Sequence, residues 1–157
     1  GLVAWSPLAS GLLSGKYRNG GDGRLKLLAA SGNPAFTKLT ERNIAIVEEL
    51  ERVAAELGRS MAQVALAWVL GRAGVASVIV GATRLAQLED NLAAAELELP
   101  RKLVERLDAA SARAPSFPYS FFTPAMQSMQ TGGVPVGDRP PSYWRPTLHE
   151  AAPARVQ

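Results

Sequence analysis

Two short, almost wholly apolar runs, LVAW at residues 2–5 and VASVIV at residues 75–80, stand with two helical patterns between them. The first is stopped by Ser6 and Pro7; the second is rich in β-branched residues and ends at Gly81, as strands covered on both faces do. Strands joined by a helical crossover pair in parallel, with a right-handed connection. Such a pair is no domain by itself, because its faces and edges need cover that the other patterns supply only in part. The sequence therefore reads as a segment of a larger α/β fold. Its start agrees: Gly1 leads straight into a strand-like run without an initiating methionine, as a cut inside a longer reading frame would.

Between and after these runs the apolar residues change period. Thr40 is expected to cap a helix carrying Ile44, Val47, Leu50, Val53, Ala54 and Leu57 at three- and four-residue spacing, stopped by Gly58. SMAQ at residues 60–63 is a capping box that opens a second helix through Val64, Ala65, Trp68 and Val69, with Trp68 in the core. Thr83 is expected to cap a third helix through Leu85, Leu88 and Leu92, and Pro100 to begin a fourth with Leu103, Val104 and Leu107 on one face. Glu48, Glu49 and Glu51 read as a solvated helix face. From Pro115 onward come eight prolines and no sustained period, so residues 112–157 are expected to form an irregular tail. PSFPYSFF within it is either apolar cover or a wall of a substrate pocket.

Residues 6–17, SPLASGLLSGKY, imitate a phosphate loop. A Walker loop needs a glycine five places before its Gly-Lys pair and a hydroxyl after the lysine. Ser10 and Tyr17 occupy those places, so the Walker reading fails. What remains, residues 11–39, is a long glycine-rich loop, and loops of this length are usually functional or disordered. Lys16, Arg18, Arg24, Lys26 and Lys38 are opposed only by Asp22 there and account for most of the net charge of +3. That is a local basic loop suited to a small anion, not the long basic stripe of a nucleic-acid surface.

The absence of cysteine excludes disulfides, thiolate metal sites and cysteine nucleophiles, and fits a reducing, cytoplasmic setting. No apolar run approaches the ~20 residues of a membrane span, and the start has no signal-peptide pattern.

In parallel α/β folds ligands lie beyond the carboxyl ends of the strands. Both marked turns, WSPLASG and GATR, fall at such ends, and strand pairing would bring them together. The helix expected at Thr83 would aim its free N–H groups at an anion there, with Lys16 and Arg24 in the neighbouring loop.

AWSPLASGLLSGKY, GDGR, SMAQVALAWVL and SVIVGATRLAQLEDN, in this order, resemble the carboxyl-terminal part of an aldo-keto reductase. The branch resembled includes voltage-gated potassium channel β-subunits and bacterial general-stress reductases, and the likeness covers residues 1–111. It implies a (β/α)8 barrel of which this chain carries strands seven and eight, their helices and two extra helices. It also implies NADPH-dependent reduction of aldehydes and ketones, without a metal. On the family pattern Trp5, Ser6, Pro7, Leu8, Ala9 and Ser10 lie along the nicotinamide and pyrophosphate, while Lys16 and Arg24 clamp the cofactor. Gly81, Thr83, Arg84, Gln87, Asp90 and Asn91 then hold the adenosine 2′-phosphate and adenine, Asp90 taking the adenine amino group.

The family's catalytic Asp, Tyr, Lys and His precede this segment, and no position here matches them. Tyr17, Tyr119 and Tyr143 lack a matched lysine and carboxylate, and His149 reads as a surface residue of the tail. The resemblance thus implies a parent enzyme acting on a small carbonyl substrate, with this segment inactive by itself. The alternatives are a non-catalytic NADP(H)-binding regulatory subunit and an inactive fragment.

Overall fold

A computed structural model describes residues 1–17, 24–33, 37–114 and 116–133. The chain divides into two compact units, Gly1–Ala112 and Arg113–Gln157. In the first unit, β1 (Leu2–Trp5) is followed by a 3-10 segment (Ala9–Ser14), α1 (Arg24–Ala29), α2 (Glu41–Leu57) and α3 (Met61–Leu70). Then come β2 (Val75–Ile79), α4 (Leu85–Leu92), a 3-10 turn (Ala93–Glu96) and α5 (Arg101–Ser111). β1 and β2 pair in parallel, with Val3 opposite Ser77, Ala4 opposite Val78 and Trp5 opposite Ile79.

The helices start and stop where side chains satisfy their free ends. Thr40 Oγ1 accepts the Asn43 N–H (3.2 Å) and Ser60 Oγ accepts the Gln63 N–H (3.0 Å). Each such cap contributes about 1 kcal/mol. Gly58, at φ 62°, closes α2 in the left-handed conformation that a side chain resists. At the far end of α5, the Arg42 guanidinium donates to the carbonyls of Ser111 (2.8 Å) and Ala112 (2.9 Å), which have no helical N–H to accept.

The core lies among the helices. Leu50, Val53 and Ala54 of α2 meet Val64 and Ala65 of α3 and Leu103 and Leu107 of α5. A second cluster, Leu12, Tyr17, Leu25 and Val47, joins the 3-10 segment and α1 to α2, and Leu13 and Met61 pack against both clusters. At about 1.5–3 kcal/mol for each large apolar side chain removed from water, these contacts hold the post-β1 turn to the helices.

The strands are covered only in part, as expected of a segment of a larger fold: Val3, Trp5 and Ile79 are 55%, 77% and 53% exposed. Ala4 and Val78 form the half-covered side, with α3 packed against β2. The other side finds no further sheet or helix among the described residues. Other sequence expectations are corrected. Glu49 is not a solvated residue; its carboxylate bonds Arg52 and reaches across to Arg106 of α5. Trp68 lies at the core's margin, its indole N–H donating to Asp108 (2.8 Å) while the Arg72 guanidinium covers its ring at 3.9 Å. The loop over residues 11–39 contains α1, too short a helix to show a period.

In the second unit a 3-10 turn (Tyr119–Phe122) precedes α6 (Pro124–Gln130), so that stretch is not wholly irregular. Proline at the first helical position loses no hydrogen bond, which permits a helix where proline count argues against one. Phe117 and Phe121 meet edge to face at 5.7 Å. Tyr143 and His149 lie outside the described residues, as do residues 18–23 with Arg18 and Asp22.

Two outcomes follow from this packing. The chain expressed alone is expected to bind a hydrophobic dye and lose tertiary structure without a sharp transition, because one apolar sheet face meets water. A cooperative thermal transition without dye binding would contradict that. Glu49's carboxyl is held below its ordinary range, first by its hydrogen bond to Arg52; burial opposes this, and the hydrogen bond and charge of Arg106 add to the lowering. A lowered folded-state pKa stabilises above the unfolded value of about 4.3, and the contribution fades as pH falls through the folded one. Urea midpoints of the complete polypeptide, read by far-UV circular dichroism, should therefore drop below about pH 4, and Glu49→Gln should flatten that limb.

Candidate functional site at the strand ends

The pairing of Trp5 with Ile79 sets the residues after both strands side by side. After β1 the backbone turns through an uncommon run of left-handed residues: Ser6 at φ 55°, Ala9 at 50° and Ser10 at 62°, followed by Gly11 at 90°. Each non-glycine residue in that region costs about 1–2 kcal/mol, and strain of this kind gathers at sites where backbone shape serves a ligand. The turn is closed by N–H bonds from Ala9 to the Ser6 carbonyl (2.9 Å) and from Gly11 to the Leu8 carbonyl (2.9 Å). Leu12 is buried and Leu8 packs against the helical core, which explains how apolar anchors tolerate the strained residues between them. Pro7 lines an apolar crevice of about 200 Å³ with Leu13, Leu50, Trp68 and Leu107. Trp5 stands largely in the open at the strand end.

Lys16 reaches back over this turn. A Cβ at Gly11 would fall 2.6 Å from Lys16 Cε and 2.8 Å from its Nζ, so only glycine leaves the lysine that path. Arg24 is the first residue of α1.

After β2, nothing stands within 4 Å of the place a Cβ of Gly81 would take. Thr83 does not cap the following helix: Arg84, in extended conformation, is the N-cap of α4, and no side chain caps it. Thr83 instead donates its N–H (3.0 Å) and its hydroxyl (3.1 Å) to Gln87 Oε1. With Gln87 drawn to Thr83, the Leu85 and Ala86 N–H groups have no intrahelical acceptor. The Arg84 side chain is exposed and has no partner among the described residues.

The other two expected site residues of α4 are Asp90 and Asn91. Asp90 accepts from Ser60 Oγ (2.7 Å) and Gln63 Nε2 (2.8 Å), so the Gln63 side chain serves Asp90 instead of completing the capping box. Asn91 is buried. Thr83 and Gln87 are thus brought together, while Asp90 ties α4 to the start of α3. Sequence reasoning missed Ser60 and Gln63 as partners of Asp90, because the pairing spans two elements and leaves no spacing to read.

Among the described residues the arrangement offers cations and N–H donors with no carboxylate bonded to them: a guanidinium without a partner, a helix start that no side chain caps and an ammonium laid over a left-handed turn. That chemistry fits a phosphorylated ligand. Among the described residues no group of three or more His, Cys, Asp or Glu is placed to hold a metal ion, and no helix is long and apolar enough to cross a membrane.

The chain is 42% identical over 100 residues to a probable voltage-gated potassium channel subunit beta of Arabidopsis thaliana, covering 62% of this chain and 30% of that protein. It is 44% identical over 97 residues to L-glyceraldehyde 3-phosphate reductase of Escherichia coli, covering 60% of this chain and 28% of the reductase. An uncharacterized oxidoreductase of Mycobacterium tuberculosis is 40% identical over 128 residues, or 78% of this chain and 37% of that protein, which carries the likeness past residue 112. The chain spans about a third of the length of these curated relatives. A family model described as "Aldo/keto reductase family" matches residues 1–112, and with the parallel strand pair and its helices the chain belongs to that family.

Proposed function

We propose that the chain is the carboxyl-terminal, cofactor-holding part of an NADPH-dependent aldo-keto reductase, with β1 and β2 as strands seven and eight of a (β/α)8 barrel. The observation that carries this reading is Arg84, without a partner among the described residues, at the start of α4 that no side chain caps, beside the end of β2. The exposed side of Val3, Trp5 and Ile79 supports it, since a barrel interior would cover that side.

When bound, NADPH supplies hydride to a carbonyl carbon. In this reading the chain's own residues bind and orient. Arg84, with the Leu85 and Ala86 N–H groups, takes the 2′-phosphate; Thr83 and Gln87 shape the start of the helix around it. Lys16 and Arg24 meet the pyrophosphate, and Trp5 and the residues 6–10 turn lie along the nicotinamide end. Asp90 and Asn91 complete the adenosine side, Asp90 by way of α3. Proton delivery to the carbonyl oxygen falls to residues outside this chain, so the chain alone is proposed to be inactive.

A second reading, favoured by the likeness to the plant channel subunit, keeps the cofactor and drops turnover: an NADP(H)-binding regulatory subunit. A panel of small aldehydes and ketones, assayed with the complete polypeptide, separates the two. Oxidation of NADPH with any of them is the expected result; cofactor binding with no turnover across the panel would favour the regulatory role.

Arg84→Ala should weaken NADPH binding by about ten- to a hundredfold, as loss of a charge-assisted hydrogen bond does, and leave NADH binding nearly unchanged. Titration of both cofactors by fluorescence measures this. Equal weakening of the two would remove Arg84 from the 2′-phosphate.

A further inference from the structure

Tyr17, the residue that spoils the Walker pattern, is almost wholly buried at 6% exposure, although it follows an exposed lysine in a glycine-rich turn. Its ring packs with Leu12, Leu25 and Val47. At the inner end its hydroxyl oxygen accepts the N–H of Leu25 (2.9 Å), and the hydroxyl is directed at the Ser10 carbonyl at 3.4 Å. Leu25 is the second residue of α1, so its buried N–H has no acceptor within the helix and depends on one from elsewhere. Serine or threonine at this position, as a Walker loop requires, is too short to reach it, and phenylalanine fills the space without accepting.

Lys16 is held by the same side chain from the other side. Its Nζ lies 4.9 Å from the centroid of the Tyr17 ring, while its aliphatic stem passes over the bare α-carbon of Gly11. A lysine ordinarily loses much rotamer freedom when it grips a ligand, and one already confined between a ring and a glycine loses less.

We propose that Tyr17 is a positioning residue for the anion site: it fixes Lys16 and the start of α1, where Arg24 stands, against the strained turn at Ser10. This rests on the cofactor reading given above. Tyr17 touches no reacting atom in it; it acts through Lys16 and Arg24 and sets how long the cofactor stays.

The test is stopped-flow release of NADPH from the complete reductase polypeptide, followed by cofactor fluorescence. Tyr17→Phe keeps the ring and its contact with Lys16 and is expected to speed release about tenfold. A role confined to packing would lower the unfolding midpoint and leave the release rate of folded protein unchanged. Gly11→Ala, whose Cβ would displace Lys16 and strain the turn at φ 90° while keeping the Tyr17 side chain, is expected to speed release as well, and serves alone should Tyr17→Phe not fold. Release at the wild-type rate from folded Tyr17→Phe, or from Gly11→Ala in its place, would overturn the positioning role while the cofactor reading stands. A wild-type protein that binds no NADPH would overturn that reading, and the positioning role with it.

Discussion

The parallel register of β1 on β2 is what the rest of the arrangement depends on. With Trp5 opposite Ile79, the turn after one strand and the helix start after the other share one end of the sheet. A register moved by one residue would turn every strand side chain to the opposite face, taking Ala4 and Val78 away from the side that α3 covers and separating the two turns. Two strands offer few hydrogen bonds to hold that register. The helical core supplies the remaining constraint, because Leu8, Leu13 and Met61 clamp the turn after β1 to α2 and α3.

From that constraint comes a division of labour between apolar and charged residues. The apolar anchors Leu8, Leu12 and Leu13 hold a backbone bent through three left-handed non-glycine residues. Cations are then presented on a frame that does not have to form when the ligand arrives. Asp90, which as a free carboxylate near a phosphate would repel it, is instead occupied by Ser60 and Gln63 and stitches α4 to α3. These bonds thereby brace the helix that carries Arg84 at its start.

Much of this was legible in the sequence, for identifiable reasons. The strands, their parallel pairing and the four main helices follow from residue period, from Thr40 and Ser60 as caps and from Gly58 as a stop, all of which act within a few residues. What escaped depends on partners far along the chain. Glu49 looks solvated until Arg106 of α5 is beside it, and the 2.7 Å bond from Ser60 to Asp90 joins two elements thirty residues apart. Thr83 has the side chain of a cap, yet its hydroxyl donates to Gln87. The incomplete cover of the strands was legible as well, because two apolar runs require more packing than the helical patterns of this chain can supply, and Val3, Trp5 and Ile79 are indeed exposed. Tyr17 was visible only as a failed motif position and an unsupported proton donor; its buried bond to Leu25 needs the fold to be seen.

Calorimetry with adenosine 2′,5′-bisphosphate and adenosine 5′-monophosphate tells whether the start of α4 is built for a phosphate on the 2′ position of an adenosine. The two differ only in that phosphate, so the comparison isolates it from nicotinamide, substrate and turnover. The complete polypeptide is expected to bind the bisphosphate at least about tenfold more tightly, the worth of one charge-assisted contact to Arg84. Equal affinity for the two nucleotides would contradict it.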